Sequence, residues 1–323
     1  MFAQSLDLGP RSEFIRDVRK GLGDTRQKQL PCTYLYDEIG AALFEAITLL
    51  PEYGLTRADA RLLENHASEL ARCLPDAIVV AELGSGSGRK TRWVLEALAK
   101  RRPLDYFPID ISHSALVKCR GELGRLERVR MTELELSYLD GLREVMGRRK
   151  RGQRLLLLFL GSTIGNFEHA EAHEFLKAIR AHLAPGDALL LGTDLVKPVP
   201  QLLAAYNDPT GVTAAFNLNL LARINHDLGG EFVLTNFEHE AVYNPAERRI
   251  EMYLRSTSRQ RARIREAGMT ITLKSGETIW TESSHKYQLQ DVRELSERTG
   301  FRLEAQWVDE EWPFAETLLL AGS

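Results

Sequence analysis

Three glycines that alternate with serines form the segment of this sequence best suited to hold a ligand. Gly84, Gly86 and Gly88 follow the β-branched residues 78–80, which predict a buried strand, and precede a predicted helix over residues 91–98. Glycine permits a tight turn here and lets a ligand approach the backbone closely. The spacing is not the dinucleotide-binding fingerprint G-x-G-x-x-G, because the third glycine comes too early. The pattern indicates either a ligand-binding loop of another kind or a flexible turn that binds nothing.

Two further loops are predicted to lie at the same edge of a parallel sheet. Residues 105–110 predict a strand that ends in Asp110, and residues 155–160 form an unbroken apolar run, as in a strand buried on both faces. A carboxylate at the end of the second strand can accept hydrogen bonds from ribose hydroxyls, although Asp110 could also cap the helix that follows. Ligands bind outside the carboxyl ends of such strands, so we expect the glycine loop, Asp110 and residues 161–166 to converge on one crevice.

The order of the predicted elements indicates an α/β protein with two parts. Strands and helices alternate as far as residue 195, and two C-terminal strands at 301–308 and 314–320 form a closing antiparallel pair. The segment between these parts is predicted to be rich in strands. Its predicted hairpins pair 237–243 with 249–257, and 270–274 with 277–283. We predict a first domain over 56–195 and 287–323, and a second, α+β domain over 1–55 and 196–286.

Two predicted helices carry notable polar residues. A helix that begins at Thr56 has Asp59 three residues later, as in a capping box. The helix predicted over residues 213–228 carries three asparagines, although asparagine is a mediocre helix former. They are Asn217, Asn219 and Asn225. These side chains either make specific polar contacts or lie on solvated faces and caps.

Composition and charge exclude several classes of function. The 323-residue chain has a formal net charge of −3, which gives no electrostatic footprint for nucleic acid. Cys32, Cys73 and Cys119 do not form a disulfide framework, and no His/Cys cluster has zinc-ligand spacing. Residues 1–7 lack the features of a signal peptide, and the longest apolar run is too short to span a membrane. We expect a cytoplasmic monomer that binds no metal, nucleic acid or membrane.

Several stretches together resemble one enzyme family along nearly the whole chain from about Tyr34. The sequence Glu-Leu-Gly-Ser-Gly-Ser-Gly resembles the first motif of methyltransferases that use S-adenosylmethionine. The stretches that carry the fuller resemblance are 36–37, 50–53, 82–92, 159–167, 205–208, 211–217, 249–252 and 281–286. In this order they resemble the L-histidine Nα-methyltransferases of ergothioneine biosynthesis.

The resemblance implies a fold, a reaction and a set of binding residues. The fold is a Rossmann-like S-adenosylmethionine-dependent methyltransferase sheet in the first domain, with a substrate-binding second domain. The reaction transfers three methyl groups to the α-amine of histidine and yields hercynine and S-adenosylhomocysteine. The implied cofactor-binding residues are Gly84, Lys90, Asp110, Ser137, Tyr138 and Gly161. The implied substrate-binding residues are Tyr36, Phe44, Tyr53, Asn166, Tyr206, Thr213, Met252, Glu282, Ser283 and Ser284.

The chemistry of methyl transfer suits these residue types. The displacement is in-line, so most of the gain comes from positioning, and no catalytic base or metal is assigned. Asn166, Tyr206 and Tyr36 can position the amine and carboxylate without placing a charge at the nitrogen, and Tyr36 and Tyr53 offer π faces for a quaternary ammonium. Taken alone, both tyrosines could be ordinary core aromatics.

The predicted imidazole contacts also have simpler interpretations. Glu282 can accept a hydrogen bond from an imidazole N–H, and the Ser284 hydroxyl can donate one to a ring nitrogen that carries no proton. Without the resemblance, Glu282 would be read as a solvated edge charge and Lys90 as a surface lysine. The chain departs from the family's pattern at residues 54–55, where a tyrosine and a proline are more usual, and at residues 137–138, which lack an acidic–aromatic pair.

Two alternatives remain open from the sequence. The same fold could methylate another aromatic amine, such as tryptophan or a prenylated tryptophan, although Glu282 and Met252 favour histidine because an indole has less use for a carboxylate. The chain could also be a cofactor-binding scaffold without catalytic activity.

Overall fold

The chain forms two compact units in the computed structural model, which describes residues 10–75 and 78–322. Unit 1 comprises Met1–Tyr53 and Pro198–Ser284, and unit 2 comprises Gly54–Lys197 and His285–Ser323. Residues 1–7, in which we expect no signal peptide, lie outside the described ranges. The assignment of a cofactor to one domain and a substrate to the other stays a prediction.

Ten α-helices lie within the described residues. They are α1 (Pro10–Leu22), α2 (Glu38–Thr48), α3 (Leu55–Cys73), α4 (Arg92–Arg101), α5 (His113–Leu123), α6 (Tyr138–Arg148), α7 (His169–His182), α8 (Val199–Tyr206), α9 (Val212–Leu228) and α10 (Leu289–Arg298). Short 3₁₀ helices occur at Cys32–Leu35, Thr163–Asn166 and Leu234–Asn236. Across the described ranges, no helix combines the length and the apolar character needed to cross a bilayer.

Fourteen strands lie in the same described part of the chain. They are β1 (Lys28–Gln29), β2 (Ile78–Leu83), β3 (Leu104–Asp110), β4 (Val129–Met131), β5 (Leu134–Glu135), β6 (Arg154–Phe159), β7 (Ala188–Asp194), β8 (Phe237–Asn244), β9 (Arg249–Ser256), β10 (Gln260–Ile264), β11 (Met269–Leu273), β12 (Thr278–His285), β13 (Phe301–Asp309) and β14 (Phe314–Ala321).

Unit 2 is built on one sheet in the order β13-β14-β7-β6-β2-β3-β4, with β5 also beside β3. The strands from β7 to β4 are parallel, and β13 and β14 close one edge as the predicted antiparallel pair. The prediction that residues 155–160 form a central buried strand is confirmed, because β6 lies between β2 and β7 and residues 155–159 are buried. This order brings the carboxyl ends of β2, β3 and β6 to one edge of the sheet.

Unit 1 contains a four-stranded sheet, β1-β12-β9-β8, and a separate pair, β10-β11. The predicted hairpin of 237–243 with 249–257 is confirmed by β8 and β9. The second predicted hairpin is wrong, because β11 pairs with β10 while β12 lies beside β9. Gly268, at φ +59°, lies in the turn that closes β10 onto β11, and the turn at Ser275–Gly276 instead returns the chain to the end of β9, where Gly276 N donates to Ser256 O.

Helix α3 differs from the prediction in its first turn. It begins at Leu55 after Gly54, no side chain caps it, and Asp59 is fully buried rather than part of a capping box. A Cβ atom at Gly54 would lie 2.2 Å from Cε3 of Trp312. The indole of Trp312 thus fills the space that a side chain at position 54 would need, which gives the departure at residues 54–55 a structural reason.

The asparagines of α9 make specific polar contacts, which confirms one of the two alternatives predicted for them. Asn219 donates to Asp37 Oδ1 (2.7 Å), the carboxylate that also caps α2 through Gly40 N. Asn225 exchanges two hydrogen bonds with the backbone of Phe232, at 2.8 and 2.9 Å. These contacts fix α9 against its neighbours within unit 1.

Candidate functional site

The glycine loop of unit 2 lies between β2 and α4 with all three glycines in the left-handed region of backbone space. Gly84, Gly86 and Gly88 have φ values of 70°, 53° and 69°. A Cβ at Gly88 would lie 2.6 Å from Leu123 Cδ1, so packing on α5 requires that glycine. A Cβ at Gly86 would meet nothing within 4 Å. The loop is therefore closely packed on one side and leaves open space at its middle glycine, where a ligand can approach the backbone.

Asp110 connects this loop to the end of β3. Its Oδ2 accepts the Gly86 N–H at 3.1 Å, and its Oδ1 accepts the Ser112 N–H at 2.9 Å. Burial raises the pKa of this carboxyl, and the two backbone donors oppose the shift. The cap of α5 is Ser112, whose hydroxyl accepts the Ala115 N–H, so the capping alternative for Asp110 is wrong. Asp110 instead lies beside the open glycine.

Lys90 is held in an ion pair rather than extended into solvent. Its ammonium contacts Asp59 Oδ2, the same oxygen that accepts the Gly161 N–H at 2.9 Å. Burial lowers the pKa of Lys90, but the adjacent Asp59 outweighs it, so the net shift is upward and the ammonium form is favoured. Three elements meet at this contact: α3, the loop before α4, and the loop after β6.

Glu82, the acidic residue of the glycine motif, is buried on β2. It accepts hydrogen bonds from Thr91 Oγ1 at 2.8 Å and from Tyr106 Oη at 2.5 Å. Burial raises the pKa of Glu82 to about 7, although both donors favour the ionised form. This residue links β2, β3 and the start of α4, and so stabilises the two ends of the glycine loop.

Ser137 and Tyr138 lie at the start of α6. The hydroxyl of Ser137 caps the helix by accepting the Asp140 N–H. The ring of Tyr138 packs at 5.7 Å from Phe159 and 5.9 Å from Phe175, and a Cβ at Gly84 would lie 3.2 Å from its hydroxyl. Tyr138 therefore borders the glycine loop, whereas Ser137 has a local capping role.

Asn166 closes the short 3₁₀ helix that follows β6. The preceding turn is fixed by Ser162, whose hydroxyl accepts the Asp194 N–H at 2.8 Å, and by Tyr287, whose hydroxyl donates to Ile164 O at 3.3 Å. A Cβ at Gly165 would lie 2.8 Å from His285 O. The backbone that carries Asn166 is thus tightly constrained within unit 2.

Unit 1 gathers the predicted aromatic residues into one cluster. The ring of Phe44 lies 5.5 Å from Tyr36 and 6.3 Å from Tyr53, and the rings of Tyr53 and Tyr206 lie 6.2 Å apart. Phe216, which sequence reasoning missed, lies 5.4 Å from Tyr36 and 6.0 Å from Phe44. We call these five residues the aromatic wall. Phe216 was missed although it lies within the 211–217 stretch and three residues after Thr213, on the same side of α9.

Tyr206 joins the aromatic wall to β12. Its hydroxyl lies 2.7 Å from Ser284 Oγ. Its backbone carbonyl accepts a hydrogen bond from His239 Nε2 (2.8 Å), and His239 Nδ1 accepts one from Asn217 Nδ2 (2.9 Å). Burial lowers the pKa of His239 and so favours the neutral imidazole, and the two hydrogen bonds place its proton on Nε2. His239 and Asn217 therefore position Tyr206, and sequence reasoning did not identify His239.

Other predicted substrate residues lie on β12, β9 and α9 of unit 1. Glu282 and Ser284 are two residues apart on β12, where strand alternation places them on one face, and both are mostly buried. Met252 on β9 is buried, and its carbonyl accepts the Thr281 hydroxyl at 3.0 Å. Thr213 is buried in the first turn of α9, where its N–H donates to Asp208 Oδ1 at 2.8 Å.

The sequence matches, over residues 14–321, the family described as "Histidine-specific methyltransferase, SAM-dependent". The chain belongs to this family. It is 42% identical over 306 residues to the histidine N-alpha-methyltransferase of Mycobacterium tuberculosis, with 94% of this chain and 93% of that one covered. It is 40% identical, with the same coverage, to the enzyme of that name from Mycolicibacterium smegmatis.

A fungal relative is more distant and longer. The chain is 33% identical over 269 residues to ergothioneine biosynthesis protein 1 of Neurospora crassa, and the match covers 79% of this chain but 31% of that one. Family membership and the parallel sheet with its antiparallel closing pair confirm the predicted fold class, a Rossmann-like methyltransferase sheet.

The residues at the carboxyl edge of the unit 2 sheet fit the cofactor that the family uses. The open space at Gly86 admits a ligand against the backbone, and Asp110 beside it is a hydrogen-bond acceptor suited to ribose hydroxyls. Tyr138 adds an aromatic ring next to Gly84. Among the described residues, no group of three or more His, Cys, Asp or Glu side chains is arranged to hold a metal ion.

Proposed function

We propose that this protein transfers methyl groups from S-adenosylmethionine to the α-amino group of L-histidine, three times in succession, to give hercynine for ergothioneine biosynthesis. The observation that carries the proposal is the match to the histidine-specific family over residues 14–321. Four of the five residues of the aromatic wall and the Tyr206–Ser284 contact support it, because the resemblance assigns these residues to the substrate.

On this proposal, Glu282 and Ser284 select the imidazole ring. Glu282 accepts a hydrogen bond from one ring N–H, and Ser284, oriented by Tyr206, contacts the other nitrogen. A carboxylate at this place favours imidazole over an indole. An indole has no ring N–H at the matching position, so binding it would bury the carboxylate without that hydrogen bond. Loss of a hydrogen bond of this charged kind costs about 1.5–3 kcal/mol.

The amine is handled by uncharged groups. Asn166 and Tyr206 orient the α-amino and carboxylate groups without adding charge at the nitrogen, so a partly desolvated site lowers the ammonium pKa and favours the neutral nucleophile. The π faces of Tyr36 and Tyr53 then stabilise the cation that methylation produces, by up to about 2 kcal/mol each when water is excluded. These residues explain how one site can tolerate substrates that carry one, two and three methyl groups.

The cofactor is assigned to unit 2. When bound, S-adenosylmethionine supplies an electrophilic methyl group. Gly84 and Gly86 allow it to approach the backbone, Asp110 accepts hydrogen bonds from the ribose, and Tyr138 borders the glycine loop. Lys90 and Gly161 complete the proposed site, and Ser137 contributes through the first turn of α6.

Mass spectrometry of free amino acids incubated with the protein and S-adenosylmethionine tests the proposal. We expect histidine to gain three methyl groups and tryptophan to gain none. E282Q should lower kcat/KM for histidine by about 10- to 100-fold, as expected for the loss of a charged hydrogen bond. Y243F, on β8 and outside the proposed site, should retain the wild-type value. Turnover of tryptophan without histidine would refute the proposed substrate, and cofactor binding without turnover of any amine would indicate a scaffold.

A further inference from the structure

Asp59 occupies a position that neither the resemblance nor the sequence pattern explains. It lies on α3 with its side chain fully buried, and its Oδ2 receives both the Lys90 ammonium and the Gly161 N–H. Lys90 and Gly161 belong to different loops at the carboxyl edge of the sheet, after β2 and after β6. One carboxylate oxygen therefore holds together two loops that the proposed function assigns to the cofactor.

A second carboxyl group lies beside this contact. Glu316 on β14 is buried, and a Cβ at Gly192 would lie 3.0 Å from Glu316 Oε1 and 3.1 Å from Gly161 N. Glu316 thus packs next to the loop after β6 that contains Gly161, and a side chain larger than that of Gly192 would push a neighbour aside. Within the described residues, Oδ1 of Asp59 and both carboxyl oxygens of Glu316 are buried and have no assigned hydrogen-bond donor.

A proton on Glu316 would supply the hydrogen-bond donor that these buried carboxyl oxygens lack. Two buried carboxylates in contact cannot both be ionised without a large cost, whereas a neutral carboxylic acid can donate to its ionised neighbour. Burial, reinforced by the charge of Asp59, raises the pKa of Glu316 far above its usual range. The other ionisable groups that face this pair are Lys90, after β2, and Glu82, on β2.

We propose that Asp59 is the positioning residue of the cofactor site: it fixes Lys90 and Gly161 through Oδ2, while protonated Glu316 donates to Oδ1 and holds the carboxylate in place. The inference rests on the proposed function, because that function assigns Lys90 and Gly161 to the cofactor. Asp59 does not itself touch the cofactor in this scheme. Its removal leaves the glycine loop and Asp110 intact but releases the loop after β6 from the loop after β2.

Binding of S-adenosylhomocysteine by isothermal calorimetry tests the proposal without requiring turnover. D59N should raise the Kd for S-adenosylhomocysteine at least tenfold. The matched control is D187N, since Asp187 is also a fully buried aspartate of unit 2 that binds a cation, Arg149 (2.6 Å), and backbone amides. Asp187 lies just before the amino end of β7, whereas the proposed cofactor residues lie at the carboxyl edge of the sheet. D187N should lose stability to urea as D59N does, yet keep the wild-type Kd.

The pair of variants at Glu316 tests the donated proton. E316Q keeps a donor toward Asp59 and should bind S-adenosylhomocysteine more tightly than E316L, which has none, by about the same tenfold factor. In steady-state kinetics, D59N and E316L should raise KM for S-adenosylmethionine far more than KM for histidine. Equal Kd values for D59N and D187N would overturn the positioning role, and equal values for E316Q and E316L would overturn the role of the proton. If the wild-type protein failed to bind S-adenosylhomocysteine, the proposed function itself would be wrong.

Discussion

At the scale of single residues, burial decides the roles of the charged side chains near the glycine loop. Lys90 would be read as a surface lysine from its place at the start of a helix, yet it pairs with Asp59. The sequence contains no local signal for this pair, because residues 59 and 90 are brought together only when α3 packs on the sheet. Long-range ion pairs of this kind depend on the complete fold.

Glu82 supplies a pH-dependent prediction at this scale. Burial raises the pKa of Glu82 to about 7 in the folded chain, above the value of an unfolded glutamate. The stabilisation linked to its proton is fully present below the unfolded pKa and is lost as the pH rises through about 7. The free energy of unfolding should fall between about pH 4.5 and pH 7 by up to about 3 kcal/mol from this group alone.

Urea unfolding of wild-type protein and E82Q across this pH range measures the effect. Glutamine can still accept the hydrogen bonds of Thr91 and Tyr106, but it does not titrate. As the pH rises, the free energy of unfolding of the wild-type protein should therefore fall relative to that of E82Q. Parallel pH profiles would assign the titration to another group.

At the scale of helices and strands, the sequence predicts the sheet of unit 2 well and the strands of unit 1 less well. The apolar runs of β2 and β6 are unambiguous because both faces are buried. Strand β10 was missed because Arg261 and Arg263 occupy its exposed positions, and only Ala262 and Ile264 mark its buried side. With β10 unrecognised, the sequence predicts that β11 pairs with β12, because residues 275–276 are typical of a hairpin turn.

The candidate site shows the same limit. The resemblance supplied Tyr206 and Ser284, whose hydroxyls lie 2.7 Å apart. It did not supply His239, which fixes the backbone of Tyr206 from β8, because a lone histidine in a strand has no motif. Tyr206 and Ser284 lie in sequence motifs of the family. The contact of His239 with Tyr206 is visible only in the folded structure, because it depends on how β8 packs.

Asp194 provides a prediction at the scale of elements, because it anchors three points at which the chain enters or leaves unit 2. Its carboxylate binds Lys197, next to the exit at Pro198, and Lys286, next to the re-entry at His285. It also accepts the Trp312 indole N–H at 3.1 Å, and Trp312 packs on Gly54 at the first entry. Burial lowers the pKa of Lys197 to about 8, with the charge of Lys286 acting in the same direction.

D194N should therefore destabilise the protein strongly, by about 3–5 kcal/mol, because two buried ammonium groups lose the carboxylate that they share. K197M is the matched comparison, since it leaves one lysine for one aspartate and replaces a buried charge by an apolar chain. Its cost should stay below about 1 kcal/mol, or be negative. Chemical denaturation at pH 7 measures both values, and similar losses in the two variants would show that charge balance at Asp194 is not what stabilises these connections.

At the scale of the whole molecule, the two proposed ligands are expected to protect different parts of the chain. The cofactor residues proposed here, from Gly84 to Gly161, all belong to unit 2, and the aromatic wall belongs to unit 1. A ligand that binds only the folded form stabilises what it binds, by about 2.7 kcal/mol when its concentration is one hundred times Kd. The proposed assignment therefore predicts protection from hydrogen exchange in a defined part of the chain.

Hydrogen exchange with mass spectrometry, with and without saturating S-adenosylhomocysteine, tests this assignment. Exchange should slow most in peptides that cover the glycine loop, the end of β3 with Asp110, and the loop after β6 with Gly161, because these amides border the proposed ligand. Peptides from the β10-β11 pair of unit 1 provide the internal control and should exchange at an unchanged rate. Histidine added in place of S-adenosylhomocysteine should instead protect β12 and α8, which carry Ser284 and Tyr206. If S-adenosylhomocysteine protected β12 and α8 and left the glycine loop unprotected, the division of ligands between the units would have to be reversed.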